Sequence, residues 1–227
     1  MKTLLLMITL SAMIVFSSCG QAGNVNSNTA MNHNSMSHDN MDHSQMNHNG
    51  MMNGNSNMSG MSEMKSSPDA ASQPFDLQFI DSMTHHHEGA IQMAEMVLKK
   101  SQNEELKKFA QKIIDDQRKE NTQMKEWREK WYSGKPAAIN MEMPGMKDSM
   151  KMLSGEHMKM MEASSGKDFD LHFLDMMIPH HEGAVVMAKD ALQKAEHQEI
   201  KTLANQIIKA QEEEIKKMQE WKAAWNK

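Results

Sequence analysis

The chain has 227 residues, among them 28 Met, 12 His and a single Cys, and a formal net charge of −5. One cysteine excludes both an internal disulfide and a thiol redox pair. The acidic balance excludes the basic face that nucleic-acid binding requires, and the length allows one domain or two.

The first stretch, "MKTLLLMITLSAMIVFSSCG", has Lys2 ahead of an apolar run from Leu4 to Phe16 that is too short to span a bilayer. Small residues then lead to Cys19, an arrangement similar to the lipobox of bacterial lipoproteins. The expectation is a signal peptide over 1–18, with Cys19 carrying a lipid that anchors an exported protein in the cell envelope, at the periplasm or outer membrane. From Gly20 to Pro74 there is no Leu, Ile, Phe or Trp, so the segment cannot bury enough apolar surface to offset its ordering entropy; a disordered tail over 19–74 is predicted. Within it, Met31, His33, Met36, His38, Met41, His43, Met46 and His48 form a five-residue Met-x-His period. A neutral spacer has no need of that period, whereas a flexible collector of metal ions does.

Past Pro74 the chain repeats itself. "FDLQFIDSMTHHHEGAIQMA" (75–94) matches "FDLHFLDMMIPHHEGAVVMA" (169–188), an offset of 94 residues that holds through Met124, Trp127 and Trp131 against Met218, Trp221 and Trp225. Each copy reads as two helices, in copy one Phe75 to Lys100 and Glu104 to Trp131, with a short break near Ser101–Asn103; the second copy breaks near Glu196. Short breaks give antiparallel hairpins. Two amphipathic hairpins bury their apolar faces against one another, so the fold class is all-α: a four-helix bundle over 75–227, with repeat one at 75–132, a Met-rich crossover at 133–168 and repeat two at 169–227. A short helix is expected from Lys147 to Ala163.

Polar residues sit on the seams. In the second helix of each copy, the core line carries Gln117 and Glu120, or Gln211 and Glu214, and a buried carboxylate is costly unless paired or bound to metal. The first helices bring Met83, His86 and Met93, or Met177, His180 and Met187, with His87 and His181 roughly 100° round on the flank of the stripe. Counting from the turn puts His86 level with Gln117 and Glu120, and Met83 level with Glu120 and Met124. Packing alone also explains Met on a helix stripe, and a Glu–His pair can be a structural ion pair.

These motifs resemble the bacterial domain-of-unknown-function 305 family, whose pattern is a MIxHHxxAxxMA helix followed by an IIxxQxxEIxxM helix. Here they stand as "MIPHHEGAVVMA" (177–188) and "LANQIIKAQEEEIKKM" (203–218), and the likeness covers 75–225. The resemblance implies a secreted, ferritin-like four-helix bundle, and the family includes periplasmic copper-binding proteins with a role in copper resistance. Carried over by motif, the implied metal positions are Met177, His180, His181, Met187 and Met218, and Met83, His86, His87, Met93 and Met124. Copy one departs from the pattern at His85, where copy two has Pro179, and at Asn121, where it has Ile215.

Thioether and imidazole donors select Cu(I) and, by the same softness, Ag(I). The expected function is binding of these ions in the envelope, as sequestration or as transfer to a copper-accepting partner protein, contributing to metal tolerance without enzymatic activity. Glu120 and Glu214 join the expected site. A ferritin-like oxidoreductase is an alternative, although no Glu is followed three residues later by His; a surface interaction domain with structural His and Met is another.

Overall fold

The computed structural model describes residues 65–225. The signal-like stretch, Cys19 and the Met-x-His tail lie outside those residues. Among the described residues, the regular structure is entirely helical: α1 (Phe75–Lys100), α2 (Glu104–Tyr132), α3 (Met146–Met150), α4 (Gly155–Ala163), α5 (Gly166–Lys194) and α6 (Gln198–Trp225).

Local chemistry sets the boundaries of the long helices. Pro74, with ψ 140°, enters α1 in the extended conformation, and its fixed φ suits a helix start. Three residues, 101–103, link α1 to α2, and the Asn103 side chain accepts hydrogen bonds from the Glu105 and Leu106 amides at 3.0 and 3.1 Å, capping two orphan donors. The second hairpin turns over 195–197, at the expected place. Helix α5 starts at Gly166, three residues ahead of the repeat, because the crossover feeds directly into it.

The hairpins α1–α2 and α5–α6 meet chiefly through α1 and α5. Phe79, Phe169 and Phe173 are fully buried there, each burial contributing roughly 2–3 kcal/mol. Asp76, at the start of α1, accepts bonds from the Glu196 and His197 amides and from His197 Nδ1 at 2.6 Å, so the start of α1 lies beside the end of α5 and the two helices run antiparallel. Trp131 stacks on the His197 ring at 3.8 Å. Asp170, the counterpart of Asp76, lacks this clamp: its Oδ1 is buried without a partner, and burial raises its carboxyl above the usual range, with the Ser101 hydroxyl only partly offsetting this. A single long crossover between hairpins is the ferritin-like connection.

The crossover first lies along α1: Asn140 bonds Gln78 and Ser82, and the Ala138 amide bonds Asp81. It then turns at Gly145, whose φ of 85° suits glycine, into α3. The expected single helix from Lys147 to Ala163 is in fact α3, a 3₁₀ turn (Lys151–Leu153) and α4, broken where Ser154 takes an extended ψ of 150°. Six crossover methionines (Met141, Met143, Met146, Met150, Met158 and Met161) are buried core residues, whereas Met152 is half-buried and Met160 is 50% exposed.

The two aspartates give a test of the clamp between hairpins. Asp76→Ala strands three donors and is expected to lower the unfolding free energy of the metal-free chain by about 2 kcal/mol, with Asp170→Ala costing clearly less. Urea denaturation compares them; equal losses would show that the Asp76 contacts do not carry the junction.

Candidate metal centre

Helix α1 serves two neighbours. Successive residues differ by about 100° around a helix, so His86 and His87 face different partners. His87 points into its own hairpin, with Nε2 2.7 Å from Glu120 Oε2. His86 points across to α5 and meets its own counterpart, His180, with ring centroids 3.7 Å apart and planes tilted by 33°. His181 repeats the His87 arrangement, with Nε2 donating to Glu214 Oε2 at 3.0 Å. The sequence count placed Glu120 level with His86; the height is right to within a residue, but the carboxylate meets His87. The flank position is as fully buried as the stripe: all four imidazoles have no solvent exposure.

Equivalent residues in contact mark a pseudo-twofold axis between His86 and His180, and the antiparallel run of α1 and α5 sets it across the helices. Register then orders the methionines. The His87–Glu120 contact sets Met83 opposite Met124, one turn to one side of the histidines, and His181–Glu214 sets Met177 opposite Met218, one turn to the other side. Each turn is about 5 Å along the bundle. Met93 and Met187 stand two turns from the histidines of their own helices, beyond these layers. All six are fully buried. The histidines and four of the methionines are thus brought into adjacent layers, and the two half-sites abut at the axis.

The glycine following each His-His-Glu allows the crossover to reach this axis. A Cβ on Gly183 would overlap Ser149 and the Gly145 carbonyl, and one on Gly89 would overlap Leu153 and come within 3.3 Å of His180 Nε2. Through that gap Ser149 Oγ reaches His86 Nε2 at 3.0 Å. Ser149 also has carbonyl acceptors at Gly145 (2.6 Å) and Met146 (3.0 Å), so its single proton goes there, His86 Nε2–H donates to Ser149, and Nδ1 keeps the lone pair. His181 is fixed the same way by Glu214. His86 Nδ1, His181 Nδ1, His87 Nδ1 and both His180 nitrogens are buried without a partner. The short His87–Glu120 approach is off the line of a hydrogen bond, so His87 Nε2 is also unsatisfied. Unpartnered buried nitrogens are costly, and one with a free lone pair is available to a ligand.

The halves differ electrostatically. Glu214 Oε1 accepts from Lys112 at 2.9 Å while its other oxygen holds His181. Burial pushes this carboxyl up, but the His181 and Lys112 bonds outweigh it and hold it below the usual range. The position equivalent to Lys112 is Gln206, so Glu120 lacks that partner and borders an open cavity of about 160 Å³ with Gln206 and Asp116. Another cavity, of about 390 Å³, contains Thr84, His85 and Asn121, where copy two has Ile178, Pro179 and Ile215. His85 lines this outer pocket and lies 3.9 Å from Glu88, on the solvent side of the histidine layer. Sequence reasoning missed Ser149, Lys112 and the two glycines. The glycines carried a signal, since a mid-helix Gly costs about 1 kcal/mol and this one occurs in both copies at the same place.

Among the described residues, no three His, Cys, Asp or Glu side chains form a cage for a metal ion. The donors that remain to complete the histidine layer are thioether sulfurs, which favour soft monovalent ions. Burial, then repulsion from neighbouring histidines, holds His86 and His180 well below 6.5, so both rings are neutral in the folded chain. Once unfolded they take up protons near pH 6.5. Stability is therefore complete above about pH 6.5 and falls as pH drops below it, by up to roughly 1.4 kcal/mol per pH unit for each ring. Glu214 adds loss only below about pH 4.5, its usual value. Urea midpoints of the metal-free chain between pH 7.5 and 5 are expected to fall, and to fall less in His86→Leu/His180→Leu; a flat wild-type profile would contradict the buried neutral pair.

The family pattern of the domain of unknown function DUF305 matches residues 76–222. No curated protein matches the sequence. Among solved structures, CopM in its Cu(I)-bound form is 37% identical, with a TM-score of 0.55, covering 66% of this chain and 96% of CopM. CopM in an Ag-bound form obtained by soaking is 36% identical over the same shares, with a TM-score of 0.54. A DUF305 protein from Streptomyces coelicolor is 27% identical, with a TM-score of 0.60, covering 70% of this chain and 95% of that one. The matched span holds nearly all of both hairpins and both His-His-Glu-Gly segments, and the chain belongs to the DUF305 family.

Proposed function

We propose that the chain binds Cu(I) and Ag(I) in the cell envelope, sequestering them or passing them to a partner protein, and so contributes to metal tolerance. The observation that carries this reading is the layer of four fully buried imidazoles, with unpartnered nitrogens, between two layers of buried thioethers. His86, His87, His180 and His181 supply nitrogen donors, and Met83, Met124, Met177 and Met218 supply sulfur. Met93 and Met187 extend the thioether column at its ends. Glu214 orients His181 through its hydrogen bond, as carboxylates behind metal-bound histidines do, Glu120 lies beside His87, and both carboxylates offset the charge of an arriving cation. That CopM has been solved with Cu(I), Cu(II) and Ag supports the choice of ion.

Thioethers stay neutral at any pH and form no disulfides, so they remain ligands in an oxidising compartment, in keeping with the signal-like N-terminus. The Met-x-His tail supplies a second, weaker class of donors, and a lipid on Cys19 would hold both at a membrane surface. This is a binding role rather than an enzymatic one: the donors favour holding a soft ion, and the Glu-x-x-His pairs of a di-iron oxidase are absent from the sequence.

Titration with Cu(I) under reductant tests the reading. Met83, His86, Met177 and His180 changed together to Leu are expected to leave helicity intact and remove the bundle's high-affinity equivalents. If the variant binds as wild type does, the site is elsewhere; if wild type binds no soft ion, the function is wrong. His180→Leu alone replaces two unsatisfied nitrogens with apolar surface. It is expected to stabilise the metal-free chain by about 1 kcal/mol while weakening ion binding. A loss of stability would mean that His180 is a packed structural residue.

A further inference from the structure

The two equivalent helices α1 and α5 differ outside the histidine layer. On α1, Gln78 and Ser82 are hydrogen-bonded to Asn140 of the crossover. The equivalent positions on α5 are His172 and Met176, one turn apart on one face. No crossover backbone is bonded there. Instead, that face forms a cavity of about 300 Å³ with Met152, His157 and Met160. His157 and Met160 are likewise one turn apart, on α4.

The details favour ligation. His172 Nδ1 is a buried nitrogen without a hydrogen-bond partner. His157 Nδ1 lies 2.8 Å from Ser154 Oγ, an interaction that orients the ring and leaves Nε2 clear. Asp175 also lines the cavity, but its carboxylate is paired with Lys222 at 2.6 Å. The donors left over are two imidazoles and three thioethers. Most crossover methionines are core; Met160 is 50% exposed, so its sulfur is open to an ion arriving from solvent.

We infer that Met152, Met160, Met176, His157 and His172 form a second soft-metal site, open to solvent and taking one Cu(I) or Ag(I) ion. The assignment rests on the soft-metal reading of the chain. It differs from the histidine layer in access: an ion can reach it without opening the bundle, which suits a loading or exchange position.

The test uses the full chain and Ag(I), counting bound silver after gel filtration and following the methyl NMR signals of methionine. Met160→Leu/His172→Gln changes one exposed and one half-buried side chain, and Gln is the residue α1 carries at that place, so folding is preserved and circular dichroism verifies it. The variant is expected to bind one Ag(I) fewer than wild type, and the Met152 methyl signal, which shifts with Ag(I) in wild type, is expected to stay put. Unchanged stoichiometry and unmoved Met152 and Met160 signals overturn this site while leaving the histidine layer standing. A wild-type chain that binds no Ag(I) overturns both.

Discussion

The contact between His86 and His180 is the constraint around which the bundle is arranged. Two neutral imidazoles stack where two copies of the same helix cross, and their surroundings follow from that crossing. Glycine is needed next to each pair so that the crossover can approach. Ser149 enters through the gap and fixes one ring. Burial keeps both rings uncharged, and an uncharged ring is the form that offers a lone pair to a metal. Replacing the pair with leucine would suit the core better by ordinary packing criteria, which is the kind of local conflict expected where function rather than stability selects the residue.

The bundle's sulfur content follows the same logic. A methionine in a core fills irregular space as leucine does, and costs little in stability. Thioether donors can therefore be stacked along the interior without adding buried charge, and six unsatisfied buried nitrogens gather in the histidine layer. The carboxylates that accompany the histidines are held at the edge of this layer, one capped by Lys112 and one bordering an open cavity.

Much of the architecture was legible because the repeat constrains it. The offset of 94 residues and the short break near Ser101–Asn103 placed both hairpins to within about three residues. Helical periodicity found the histidines, the methionines and the facing carboxylates. It could not decide which histidine meets the carboxylate, because neighbours 100° apart are both buried when helices pack on two sides. The crossover was the least legible part: Met-rich and punctuated by glycine, it has no long periodic stretch. Ser149, which lies 63 residues from His86, leaves no local signal. The soft cluster around His172 became apparent only when α4 folded back onto α5.

Two identical subunits arranged about a true twofold must give corresponding side chains identical surroundings. A single chain is released from that rule. Here one connecting segment lies across the axis once, so it supplies a hydroxyl to His86 and leaves His180 with both nitrogens bare. Joining two like hairpins into one polypeptide thus does more than raise their effective concentration. It turns a pair of matched half-sites into a directional one, in which the two ends of the same donor set are chemically distinguishable.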